Sequence, residues 1–106
     1  MAALRALNLR FSVRAKSQLA AIQTYISNHN PAAATRVGAA IRDAAETLRY
    51  FPLAGRSGRS SGTREWVVRG LPYILVYEVG ISAANEVMIL GVFHCAQNRS
   101  SDDVAE

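Results

Sequence analysis

Residues 62–97 read GTREWVVRGLPYILVYEVGISAANEVMILGVFHCAQ, and the fold is decided here. Glu65, Val67 and Arg69 alternate with Trp66 and Val68, the period of a strand with one wet face. Gly70-Leu71-Pro72 makes a corner. Tyr73–Val79 is almost unbroken in apolar character, which suits a central strand covered on both faces. Residues 80–86 supply a hairpin loop, and Val87–Phe93 form a further, mostly apolar strand.

Upstream, residues 52–63 (PLAGRSGRSSGT) hold three glycines, three serines and two arginines without periodicity, the composition of a flexible surface loop. Before it, Val37, Ile41, Ala44, Leu48 and Phe51 recur at helical spacing until Pro52 stops the helix. Asn30-Pro31 starts that helix, with a side-chain cap and a proline where no N–H is needed. An earlier stripe, Ala15, Leu19, Ile22 and Ile26, makes a first helix that is capped by Ser12, enters at Val13 or Arg14 and ends near residues 28–30. Ala33, Ala40 and Ala44 allow the two helices a close antiparallel approach. Leu7, Leu9, Phe11 and Val13 alternate with polar residues as a half-buried strand. The expectation is an α+β domain in the order βααβββ, an N-terminal strand and helical hairpin packed on a twisted antiparallel sheet.

The chain has 106 residues, room for one domain, with residues 99–106 expected to form a frayed polar tail. No apolar run reaches the length of a membrane span. The N-terminus lacks the apolar core and cleavage site of a secretory signal, so a cytoplasmic protein is expected. The single cysteine, Cys95, excludes an internal disulfide and any metal site built on several cysteines. Its expected role is that of a small buried hydrophobe. Net charge is +4, and of twelve basic residues only Lys16 is lysine. Arginine offers a planar fork of donors to carboxylate or phosphate. Eleven arginines therefore suit an acidic partner, although a GC-rich genome produces the same bias.

The order GTRE, GLPY, LVYEV and H-x-x-Q at residues 62–65, 70–73, 75–79 and 94–97 resembles the C-terminal half of the RelE/ParE superfamily. These are toxins of type II toxin–antitoxin (plasmid stabilisation) systems. Two helices with Ala-rich inner faces match the family's first half. The resemblance implies a cognate antitoxin as partner and no cofactor or metal. In the ParE-like branch it implies inhibition of DNA gyrase by protein contact. In the RelE-like branch it implies ribosome-dependent mRNA cleavage. A third possibility is a degenerate member that only binds antitoxin.

His94 matches the place of an acid/base histidine in the nuclease branch. RNA cleavage also needs cations for the phosphorus centre. The branch usually supplies one from an arginine directly before LVY, where this chain has Ile74. That departure places the chain closer to ParE; under the nuclease reading Arg64, Arg69 and Arg99 would have to replace the missing cation. As a structural residue, His94 would cap its strand or bond Tyr73 or Tyr77. Arg64, Glu65, Trp66, Arg69 and Arg99 are the expected target- or antitoxin-binding residues. Their plainer roles are a charged strand edge and, for Trp66, core packing. Arg56 and Arg59 in the Gly/Ser loop are read as surface residues without a specific task. Tyr73 and Tyr77 are expected to share one sheet face.

Overall fold

The computed structural model describes residues 6–80 and 85–96. Strand β1 (Asn8–Phe11) leads into helix α1 (Val13–Ser27), and α2 (Pro31–Tyr50) returns beside it. Four strands follow: β2 (Arg56–Ser57), β3 (Arg64–Val67), β4 (Tyr73–Gly80) and β5 (Glu86–His94). They form one sheet in the order β1-β5-β4-β3-β2. The α+β class stands. The sheet is antiparallel from β2 to β5, and β1 joins it parallel to β5. The two helices carry the chain across from β1, which is what permits the parallel pairing.

Both helix starts form where the sequence places them. Ser12 Oγ accepts from the Ala15 amide at 3.0 Å, and Asn30 Oδ1 accepts from the Ala33 amide at 3.1 Å, with Pro31 in the first turn of α2. The helices bury Ala15, Leu19, Ile41, Ala45 and Leu48 against Val68, Leu75, Tyr77, Val87, Ile89 and Val92 of the sheet region. On the opposite sheet face, Ile74, Val76 and Phe93 form a second, smaller cluster. Strand β4 is thus buried on both faces, as its unbroken apolar run requires.

Three expectations fail. Phe51 does not continue the α2 stripe. It caps the helix in a non-helical conformation and is exposed. Val13 opens α1, as the Ser12 cap allows, so only its place in the strand alternation fails; its side chain is 82% exposed. Residues 52–63 are not a structureless loop, because Arg56 and Ser57 pair with Glu65 and Arg64 to make a hairpin. Two paired residues are too few for a periodicity to show. The hairpin loop between β4 and β5 and the tail from residue 97 lie outside the described residues, in part or whole.

An irregularity in β5 sets the position of the functional residues. Val76 pairs with Gly91 but Tyr77 pairs with Ile89, so Leu90 is an extra residue on the β5 side. Such a bulge shifts the alternation of side chains by one. Val87 and Ile89 face the helices before it, and Val92 faces them after it. Helix α1 and its N-cap residue satisfy the backbone groups that the bulge displaces. Ser12 Oγ donates to Leu90 O at 3.2 Å, and Gln18 Oε1 accepts from the Val92 amide at 2.8 Å.

Candidate functional site

Because of the bulge, His94 comes to the helix side of the sheet. Its cross-strand partner is Tyr73, and the two rings meet edge-on, with centroids 5.5 Å apart and planes at 85°. With Val92 they form one wall of an open groove of about 360 Å³, and Gln18, Ala21, Ile22 and Tyr25 of α1 form the other. Gln18, Ala21, Ile22 and Tyr25 recur at helical spacing, one step round from the stripe that fills the core. Sequence reasoning missed Gln18 and Tyr25. The only available signal was an aromatic residue beside that stripe.

His94 Nδ1 accepts a hydrogen bond from the Ala96 amide at 3.1 Å. The neutral ring therefore carries its proton on Nε2. The histidine stands at the end of its strand, and its ring meets Tyr73 edge-on. Its Nδ1 is engaged by that amide, and the residue is exposed at the mouth of the groove. No arginine or lysine is among the described residues that line the groove. Ile74 belongs to the cluster on the opposite face, so position 74 faces away from His94 whatever residue stands there. Cys95 is exposed just past the strand, contrary to its expected burial, with its amide on Pro72 O at 2.7 Å.

The remaining candidates separate. Arg64 pairs with Tyr77 and Arg69 lies in the β3–β4 turn, so along the sheet Arg69 is at the His94 end and Arg64 several residues away. Arg64 Nη1 donates to Gly55 O at 2.8 Å and Leu53 O at 3.3 Å. Tyr77, fully buried, donates its hydroxyl to Pro52 O at 2.7 Å and accepts from the Gly55 amide at 2.9 Å. Burial raises the Tyr77 phenol above its ordinary value, and the Gly55 bond and the Arg64 charge offset part of that. Tyr73 and Tyr77 share the helix-side face, yet only Tyr73 lines the groove. Glu65 is buried on the other face and pairs with the exposed Arg56 at 3.2 Å. Trp66 is half-buried against the core, and Arg69 is exposed. Arg99 lies outside the described residues. Among the described residues no three His, Cys, Asp or Glu side chains gather where they could hold a metal ion. No described helix is long and apolar enough to cross a membrane.

Residues 9–99 match the model of the ParE toxin of type II toxin–antitoxin systems (parDE). The chain belongs to the ParE toxin family. A Sinorhizobium fredii protein described as "Putative toxin Y4kP" is 39% identical over 89 residues, which is 84% of this chain and 88% of that one. Among solved structures, the chromosomal ParDE toxin–antitoxin system from P. aeruginosa matches with a TM-score of 0.74 at 21% identity, over 84% of this chain and 96% of that one. The Mycobacterium tuberculosis RelBE2 toxin–antitoxin complex matches with a TM-score of 0.61 at 28% identity, over 84% and 98%. Membership covers both the groove around His94 and the β2–β3 hairpin. This is a type II toxin of the RelE/ParE superfamily.

Proposed function

We propose that this ParE-family toxin arrests growth in the cytoplasm by binding DNA gyrase, and that a cognate antitoxin neutralises it, as in a plasmid-stabilising pair. The observation that carries the gyrase reading is the ParE match over residues 9–99. The geometry at His94 agrees with it. The ring lies among tyrosines and apolar side chains, and Arg64 is occupied with loop carbonyls at a distance along the sheet. Phosphoryl chemistry needs preorganised positive charge at the reacting phosphate. The antitoxin partner is supported by the toxin–antitoxin systems in which both structural relatives were solved. Exposed Tyr50, Phe51 and Leu53, on a segment held by Tyr77 and Arg64, give a rigid apolar surface for a partner that folds on binding.

Two assays on purified protein test the target: gyrase supercoiling of relaxed plasmid, and transcript cleavage on translating ribosomes. Inhibition of the first without the second is the expected result. Cleavage without inhibition would replace this reading with the ribosome-dependent endonuclease, and neither activity would point to a degenerate, antitoxin-binding member. Co-expression with the neighbouring open reading frame should yield a stable hetero-oligomer. Recovery of the toxin alone would contradict neutralisation by that partner.

A further inference from the structure

We infer that the β2–β3 hairpin is a phosphate cradle that holds the backbone of DNA. Residues 55–64, GRSGRSSGTR, contain three arginines, four hydroxyl side chains and no carboxylate. This segment carries a formal +3, where the whole chain carries +4. Arg56 is paired with Glu65, and Arg64 Nη1 donates to the Leu53 and Gly55 carbonyls, leaving the other guanidinium N–H groups of Arg64 as donors. The adjoining Glu65 is buried and paired with Arg56, so it offsets one of these charges.

The tip is a built structure. The Gly58 amide donates to Thr63 O at 2.8 Å, and the Thr63 amide closes the turn on Ser60 O at 3.2 Å. Gly62 has a φ of +80°, a conformation that costs other residues energy. Gly58 lies under the Thr63 side chain, where a Cβ would come within 2.2 Å of Thr63 Oγ1. Two glycines are thus required by the shape of the tip and not by flexibility. Around it lies a concavity of about 400 Å³ whose side chains are Ser57, Ser60, Ser61, Thr63 and Arg64, with Arg59 exposed beside it.

This chemistry selects among acidic partners. Arginine, hydroxyls and main-chain amides are the groups that contact phosphodiester oxygens without reading sequence. A tetrahedral phosphate presents oxygens in several directions and suits the cup's serine hydroxyls, while the Thr63 hydroxyl donates to Ser60 O at 2.6 Å and holds the turn. An acidic protein segment would need an apolar anchor beside its carboxylates; the exposed Phe51 and Leu53 are not among the residues that line the cup, which offers hydroxyls, glycines and Arg64. The inference goes beyond gyrase binding: the toxin would touch the DNA that the enzyme holds.

The test uses the toxin alone, so its failure is separate from failure of the gyrase reading. Binding to a short fluorescent DNA duplex is followed by anisotropy over a series of salt concentrations. Arg59→Gln should make the slope of log affinity against log salt shallower by about one, the loss of one phosphate contact. Arg36→Gln, an exposed arginine on α2, should leave the slope unchanged, and both variants should melt with the parent. The inference is overturned if the parent shows no salt-dependent binding or if the two variants lose affinity equally. It is overturned equally if polyglutamate displaces the duplex at matched charge, which would assign the hairpin to an acidic protein, or if RNA of the same length binds in strong preference to DNA.

Discussion

Gln18 Oε1 accepts a 2.8 Å hydrogen bond from the Val92 amide, across the bulge that turns His94 toward α1. A residue of the first helix thereby fixes which face the last strand presents. Gln18→Ala would strip a part-buried amide of its partner and should cost about 1–3 kcal/mol. Thermal denaturation measures that cost, and the His94 ring resonances should move with it. An unchanged melting point with unmoved resonances would show that the bulge is held by other contacts.

Tyr77→Phe removes the hydroxyl that holds Pro52 and Gly55, and should destabilise the fold by roughly 1–3 kcal/mol. It should also change the alkaline limb of stability. The folded chain keeps the Tyr77 proton above pH 10.0, the ordinary value at which the unfolded chain releases it. Stability from this group is therefore full below about pH 10 and declines as pH rises from there through the higher folded-state value. Melting curves between pH 8 and 11 should fall more steeply for the parent than for Tyr77→Phe. Parallel curves would exclude the linkage.

Arg64 and Arg69 should part in their effects. Arg64→Ala releases two carbonyls of the 53–55 segment and should lower stability by roughly 1–2 kcal/mol, since bonds to charged groups exceed neutral ones. Arg69→Ala removes an exposed side chain in a turn and should leave stability within about 0.5 kcal/mol. Urea denaturation of the two proteins decides this. Equal losses would mean that the Arg64 bonds contribute nothing.

Ile41→Asp places a carboxylate where the side chain is fully enclosed by both helices and the sheet. The cost of an unpaired buried charge exceeds the total stability of a small domain, so the protein should not fold. Circular dichroism of the purified variant should show no cooperative transition. A transition matching the parent would remove Ile41 from the core.

Much of this was legible in the residues, and the misses have specific causes. Caps and stripes are local, so Ser12, Asn30-Pro31 and the Leu19 and Ile41 faces could be read directly. The unbroken run around Leu75 announced a strand buried on both sides. What could not be read was anything set by a partner distant in sequence. Alternation in β5 puts His94 on the face away from Val87 and Ile89 until Leu90 is seen as a bulge, and only Ser12 and Gln18, over seventy residues away, reveal it. Likewise Arg56 and Ser57 carry no strand signal of their own, because their pairing is supplied by β3. Position 74 is where the nuclease branch carries its cation, but Ile74 packs in the cluster on the opposite face from His94, a placement that depends on the β4–β5 register and not on sequence spacing.

The central claim, that this toxin acts by binding gyrase and not through His94 chemistry, is tested most directly by a supercoiling assay with a folded His94→Ala protein beside the parent. Acid/base groups contribute about 10²–10⁴-fold to a rate, so a nuclease would lose its effect with this substitution. The expected result is that both proteins inhibit gyrase supercoiling at similar concentrations and both still arrest growth when expressed. Loss of growth arrest in His94→Ala with its fold intact, together with no inhibition of gyrase by the parent, would contradict the account.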